Sequence, residues 1–102
     1  MKIMVDLCLI PIGVGVSLSS YIAQCLAILE EKGLAHSLHA YGTTIEGEWD
    51  EVMDAVKACF QTIHRMGAPR VHASMKIGSR TDRAQTMEDK VQSVRNKMPP
   101  GS

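Results

Sequence analysis

The sequence predicts an α+β domain of the ferredoxin-like class, a βαββαβ sandwich with an extra C-terminal helix. Two observations lead to this prediction. Apolar residues alternate along short segments and recur at helical spacing along longer ones, and these segments follow one another as strand, helix, strand, strand, helix, strand. With right-handed crossovers, this order gives one antiparallel four-stranded sheet that carries two helices on one face.

The first predicted strand, residues 3–12, is mostly apolar on both faces. Its residues divide into Ile3, Val5, Leu7 and Leu9 on one face and Met4, Asp6, Cys8 and Ile10 on the other. Because a strand of this kind is covered on both sides, we expect the sheet face away from the helices to be buried against another copy of the chain. That face would also carry His39, Tyr41, His72, Ser74 and Lys76.

The first predicted helix follows a glycine-containing turn. Gly13 and Gly15 interrupt the strand pattern, and Ser17 or Ser19 is the predicted N-cap. Apolar residues then recur at helical spacing until Gly33, which is the expected C-terminal stop. The segments "LAHSLHAYG" and "TTIEG" return to a period of two and predict a hairpin.

The second predicted helix has the strongest apolar stripe in the chain and ends near Gly67, before Pro69. The stripe consists of Trp49, Val52, Met53, Val56, Cys59, Phe60 and Ile63. The segment "RVHASMKIG" then alternates as a half-covered strand, with Val71, Ala73, Met75 and Ile77 on one side. In the third helix, "TMEDKVQSVRNKM", Thr86 is the predicted N-cap and Asp89 completes a capping box.

Length and composition favour a single globular domain. The chain has 102 residues, which suits one ferredoxin-like domain over residues 1–98 with a flexible tail at residues 99–102. A formal net charge of zero removes the electrostatic reason to expect a nucleic acid or an anionic membrane as a partner. Three widely separated cysteines, Cys8, Cys25 and Cys59, are expected to be reduced, as in the cytoplasm.

Catalytic and metal-binding patterns are weak in this sequence. Four histidines occur without an HxxxH pair, and no Cys-x-x-Cys pair is present, so we expect no metal and no cofactor. The residues identify no nucleophile with a base and an orienting group beside it. The sequence therefore predicts that the protein is not an enzyme.

Two polar segments hold more hydrogen-bonding groups than their local structure requires. Thr43, Thr44 and Glu46 precede the second helix, where a single cap would be sufficient. Arg80 and Asp82 lie at the end of the fourth strand, where a salt bridge within or between subunits is favoured over contact with a ligand. These segments are the candidates for a binding site.

Four segments together resemble the small YkoF-like thiamine-binding proteins, over residues 5 to about 94. They are "PIG", "GTTIEGEWDEVM", "RVH" and "GSRTDRAQTMEDKVQSV". The resemblance implies a ferredoxin-like fold, a homodimer or homotetramer, and binding of thiamine or its hydroxymethylpyrimidine moiety without an enzymatic reaction. The ligand contacts that it implies are Ser17, Ser19, Thr43, Thr44 and Glu46.

The chemistry of these residues fits such a ligand. A carboxylate such as that of Glu46 accepts from the exocyclic amine of the pyrimidine or faces the positive thiazolium, and hydroxyl groups serve the ring nitrogens. The alternative is a structural or regulatory homo-oligomer without a small-molecule ligand. In that case "TTIEG" and "RTD" hold subunits together. An enzyme acting on a thiamine precursor is the least favoured interpretation.

Overall fold

The structure is a computed structural model that describes residues 1–101. Its elements are β1 (Lys2–Ile12), α1 (Ser19–Glu31), β2 (Ala35–His39), β3 (Gly42–Glu48), α2 (Trp49–Arg65), β4 (Arg70–Ser79) and α3 (Met87–Asn96). The strands form one sheet in the order β2-β3-β1-β4, and every neighbouring pair is antiparallel. The predicted ferredoxin-like fold with an extra C-terminal helix is confirmed. The predicted flexible tail ends in Ser102, which lies outside the described residues.

The core lies between the sheet and the two helices α1 and α2. Along β1, alternate residues are buried, as the sequence predicts for the face that carries Ile3 and Val5. The buried apolar residues are Ile3, Val5, Leu7, Leu9, Cys25, Leu29, Leu34, Ile45, Val52, Ala55, Val56, Cys59, Ile63 and Ala68. None of the helices within residues 1–101 combines the length and the apolar composition needed to cross a membrane.

Truncation of Ile45 is expected to destabilise the fold strongly. This residue lies in the interior strand β3 with 0% exposure, so Ile45→Ala should lower the free energy of unfolding by about 2–5 kcal/mol, because it leaves a cavity in the core. Urea denaturation at matched protein concentration measures the loss. The matched control is Ile77→Ala on the edge strand β4, where the side chain is 43% exposed and a much smaller loss is expected. Equal losses in the two variants would contradict this account of the core.

The predicted N-cap of the first helix is wrong. Leu18 occupies the N-cap position, and its side chain cannot accept a hydrogen bond, so α1 has no side-chain cap. Ser19 is the first helical residue and Ser17 precedes the cap. The helix begins where it does because the Leu18 carbonyl accepts hydrogen bonds from the backbone N–H groups of Tyr21 and Ile22.

Three expectations about where side chains lie also fail. Trp49 is 42% exposed, because it is the first residue of α2 and the buried stripe begins one turn later at Val52. Met75 and Ile77 are 36% and 43% exposed, since β4 is an edge strand with a single neighbour. Tyr41 lies in the turn between β2 and β3, so the alternation of the sheet does not place it on the face away from the helices.

Candidate functional site

The consecutive residues Thr43 and Thr44 lie on opposite faces of the sheet. Thr43 pairs with Leu7 of the core and is buried. Thr44 pairs with Asp6 on the face away from α1 and α2, which we call the open face. Directly paired residues of an antiparallel ladder share a face, and side chains alternate along a strand, so Glu46 also belongs to the open face. The predicted site residues of β3 therefore separate into two groups.

A cavity of about 270 Å³ lies between α1, the β2–β3 hairpin and the helix side of the sheet. We call it the helix-side pocket. Its wall is mainly aliphatic and includes Leu7, Leu9, Leu18, Ile22, Leu26, Leu29 and Leu38. Its polar lining includes Thr43 from β3, His39 from the end of β2 and Tyr41 from the turn. The pocket thus combines an apolar wall with few polar groups, as is typical of small-molecule sites.

Thr43 supplies a hydroxyl group to this pocket. The residue is only 7% exposed, and its hydroxyl forms no hydrogen bond within residues 1–101. Within the same residues, every fully enclosed side-chain N or O atom has a hydrogen-bond partner. The Thr43 hydroxyl is therefore not fully enclosed, and it faces the pocket. A ligand in the pocket would exchange a hydrogen bond with this hydroxyl, which can donate or accept.

The rim of the pocket carries an aromatic side chain. Tyr41 is 88% exposed in the hairpin turn. Across the sheet, on the open face, the His39 Nε2 atom lies 3.0 Å from Asp6 Oδ1, and both side chains are about half exposed. Leu38 is also exposed at the rim, so the pocket opens to solvent between α1 and the hairpin.

The two predicted serines lie close to the pocket in sequence but outside its lining. Ser17 and Ser19 are exposed and lie on either side of Leu18, which forms part of the pocket wall. The structure brings this turn and Thr43 to the same side of the sheet. It does not bring either serine together with Glu46, which lies on the open face.

On the open face, Glu46 contacts the start of α3. Its Oε2 atom accepts a hydrogen bond of 3.0 Å from the backbone N–H of Met87, the first residue of that helix. The predicted capping box is confirmed: the Thr86 hydroxyl accepts from the backbone N–H of Asp89, and the Asp89 carboxylate accepts from that of Thr86. This backbone hydrogen bond holds the pKa of Asp89 below its ordinary value. Glu46 thus satisfies one more N–H group at the helix terminus.

Arg80 and Asp82 contact each other within the chain. The Arg80 guanidinium donates through two nitrogens to the Asp82 carboxylate, with 2.9 Å between Nη2 and Oδ2, and its Nη1 atom donates to Gln85 at 2.6 Å. The hydrogen bonds from Arg80 lower the pKa of Asp82. Both side chains are exposed, and the pair organises the loop between β4 and α3.

Removal of the Glu46 carboxylate is expected to loosen α3. In Glu46→Ala the N–H group of Met87 loses its acceptor, so the amides of α3 should exchange with solvent several-fold faster, as expected for a lost charged hydrogen bond of about 1.5–3 kcal/mol partly replaced by water. Hydrogen–deuterium exchange measures this change. The matched control is Glu88→Ala in the first turn of α3, where the exposed side chain makes no such contact with the sheet. Unchanged exchange in Glu46→Ala would contradict the anchoring role.

The rest of the pocket could not be recognised from sequence motifs. Leu38, Leu26 and Ile22 follow ordinary strand and helix patterns, and they meet only after α1 docks beside the hairpin. Two cysteines, Cys25 and Cys59, also line the pocket although no local spacing connects them. Within residues 1–101, no cluster of three or more His, Cys, Asp or Glu residues is arranged to hold a metal ion.

The sequence profile of the family described as thiamine-binding protein matches residues 5–95 of the chain. A UPF0045 protein of Synechocystis sp. is 58% identical over 94 residues, which cover 92% of this chain and 78% of that protein. The UPF0045 protein YqgV of Bacillus subtilis is 32% identical over 100 residues, which cover 93% of this chain and 96% of YqgV.

Solved structures share the fold. The crystal structure of hypothetical protein MJ1052 from Methanocaldococcus jannaschii has a TM-score of 0.85 and 31% identity, with 92% of this chain and 96% of that chain covered. A Thermotoga maritima protein, described provisionally as a thiamine biosynthesis/salvage protein, has a TM-score of 0.78 and 25% identity, with 93% and 100% covered. With its family profile, its relatives and its fold in agreement, the chain belongs to the thiamine-binding protein family.

Proposed function

We propose that the protein is a non-catalytic binding protein for thiamine or its hydroxymethylpyrimidine moiety, and that the helix-side pocket receives the pyrimidine ring. The observation that carries the proposal is the position of the Thr43 hydroxyl in a cavity whose wall is mainly aliphatic. Membership of the thiamine-binding protein family and the likeness to the Thermotoga maritima protein support a thiamine-related ligand.

The size of the pocket suits one aromatic ring with short substituents. Its volume of about 270 Å³ lies just under the usual range of small-molecule pockets, roughly 300–1,000 Å³, so the remainder of a larger ligand stays at the rim. Aliphatic side chains from α1 and the sheet contact the ring, and the Thr43 hydroxyl donates to a ring nitrogen or accepts from the exocyclic amine. Such a hydrogen bond contributes about 0.5–1.5 kcal/mol.

The rim suits the positive end of thiamine. The thiazolium remains near solvent beside Tyr41, whose aromatic face attracts cations. In this arrangement Glu46 is not a ligand contact, because it lies on the opposite face of the sheet.

We further propose that the open face forms the interface of a homodimer, and that two dimers associate into a homotetramer. Met4 and Cys8 are only partly buried on this face, and Ile10 is 39% exposed. An apolar strip along the interior strand β1 is costly to leave in water. The three free cysteines favour the reducing conditions of the cytoplasm.

A second candidate is a structural or regulatory homo-oligomer without a small-molecule ligand. The contacts of Glu46 with Met87 and of Arg80 with Asp82 favour it, because the polar groups of two sequence motifs are used to hold the C-terminal part of the chain. In this case the helix-side pocket would be a packing defect beside the hairpin turn.

Titration calorimetry with thiamine and with hydroxymethylpyrimidine separates the two candidates. Saturable heat from either compound supports the binding proposal, and heat from both with similar affinity assigns recognition to the pyrimidine. Light scattering on the same sample gives the oligomeric state. A stable oligomer that gives no heat with either compound would overturn the binding proposal and support the structural one.

A further inference from the structure

Two cysteines face each other where α1 packs against α2. Cys25 and Cys59 are 4% and 1% exposed, and the Cys59 Sγ atom donates to the Cys25 carbonyl at 3.9 Å. This contact places the Cys59 sulfur beside the backbone of Cys25. Both cysteines belong to the buried core, and both also lie in the wall of the helix-side pocket.

The pocket gives small solutes a route to these thiols. Both cysteines line a cavity of about 270 Å³, whose rim includes the exposed residues Leu38 and Tyr41. A molecule of the size of hydrogen peroxide fits easily in this volume, which equals that of several water molecules. Larger oxidants and protein thiols have no comparable access, because the helices cover the pair from the other sides.

The environment distinguishes the two sulfurs. When Cys59 loses its proton, the Cys25 thiol donates a hydrogen bond to the resulting thiolate, and this bond lowers the pKa of Cys59. Burial opposes the lowering of this pKa, and the positive charge of Lys32 adds a smaller lowering. The same interaction raises the pKa of Cys25, and burial raises it further. A thiol that donates to a neighbouring thiolate is the arrangement of an attacking sulfur beside a resolving one.

We propose that Cys25 and Cys59 form a redox-modification site, at which a small hydroperoxide that enters the helix-side pocket converts the two thiols into a disulfide linking α1 to α2. The argument rests on the position of the pair in the pocket wall and on the contact of the Cys59 sulfur with the backbone of Cys25. It does not depend on which ligand the pocket binds.

The reaction consumes one molecule of hydrogen peroxide for each disulfide formed. The Cys59 thiolate attacks one peroxide oxygen, an S–O bond forms, the O–O bond breaks, and the leaving hydroxide takes up a proton as water. The Cys25 sulfur then attacks the Cys59 sulfenic acid, the S–S bond forms, the S–O bond breaks, and the second water carries away the Cys25 proton. The two sulfurs together lose two electrons, which reduce the peroxide.

The modification would change the pocket. The new bond holds the two sulfur atoms at a covalent separation of about 2.05 Å and so ties α1 to α2 beside the cavity. Both thiol donors also disappear from the pocket wall. The site would therefore connect peroxide exposure to the shape of the cavity.

Mass spectrometry of the folded, reduced protein after treatment with hydrogen peroxide tests the proposal. The expected result is a loss of two hydrogen atoms in mass, a non-reduced peptide pair that contains Cys25 and Cys59, and recovery of the original mass with dithiothreitol. Cys8 also contributes to the pocket lining, but its side chain belongs to the open face, so Cys8 is the internal control and should remain outside this bond. Intact, alkylatable thiols at both Cys25 and Cys59 after treatment, or a bond through Cys8, would overturn the proposal.

Two single variants test the roles of the sulfurs. In Cys25→Ala the sulfenic acid on Cys59 should persist and react with dimedone, whereas Cys59→Ala should show little reaction at Cys25. Equal dimedone labelling in the two variants would overturn the assignment of Cys59 as the attacking sulfur. Circular dichroism establishes that each variant is folded, and the peptide map of the wild-type protein tests the disulfide without any substitution.

Discussion

Thr43→Phe is expected to abolish binding of thiamine and of hydroxymethylpyrimidine. The buried Thr43 residue lines the helix-side pocket, and a phenyl ring at this position would occupy the space that we assign to the pyrimidine. The cavity of about 270 Å³ accepts the ring, so the fold is expected to survive the substitution. Titration calorimetry measures the loss, and thermal unfolding checks the fold.

The adjacent threonine provides the matched control. Thr44→Phe introduces the same ring one residue later, on the open face, and should leave the ligand affinity intact. The milder Thr43→Val removes only the hydroxyl and should weaken binding by about 2- to 12-fold, which corresponds to about 0.5–1.5 kcal/mol. Loss of binding in Thr44→Phe with retention in Thr43→Phe would move the site to the open face, where Glu46 lies.

Ile10→Asp is expected to dissociate the proposed homo-oligomer into monomers. Ile10 lies on the open face of the interior strand β1 and is 39% exposed in the single chain. A carboxylate at this place would be buried without a partner in the interface, which costs several kcal/mol for each copy. Size-exclusion chromatography with light scattering measures the mass at micromolar concentration.

A fully exposed apolar residue serves as the control for this change. Val16 lies in the turn before α1 with 101% exposure, so Val16→Asp adds the same charge without reaching the open face and should keep the wild-type mass. Persistence of the wild-type mass in Ile10→Asp, with a folded circular dichroism spectrum, would exclude the open face as the main interface.

Local patterns in the sequence were sufficient for most of the fold. The alternation of β1 identifies its buried face, and the order of the segments gives the observed topology. The capping box of Thr86 and Asp89 is a four-residue signal and is present as predicted. The exposure of Trp49 and Met75 depends on their place in the tertiary structure, since Trp49 is the first residue of α2 and Met75 lies on the edge strand β4.

The site required information that no short segment contains. The period of two along β3 implies that Thr43 and Thr44 face opposite sides, but it does not show which side has a cavity. The cavity depends on the docking of α1 beside the hairpin. The contact of Glu46 with Met87 joins residues that are 41 positions apart, and it leaves no signal in either local pattern.

Because helix α3 is short, its stability is expected to depend on the protein concentration if the chain forms the proposed homo-oligomer. It has ten residues, fewer than the roughly 12–15 that an isolated helix needs, and none of them is buried. In the proposed homo-oligomer, a neighbouring copy would cover Val91 and Val94, which are 53% and 65% exposed, and would add to the support that α3 receives from its capping box and from Glu46. Through mass action, dilution would then unwind the last ten-residue helix before it affects the sheet.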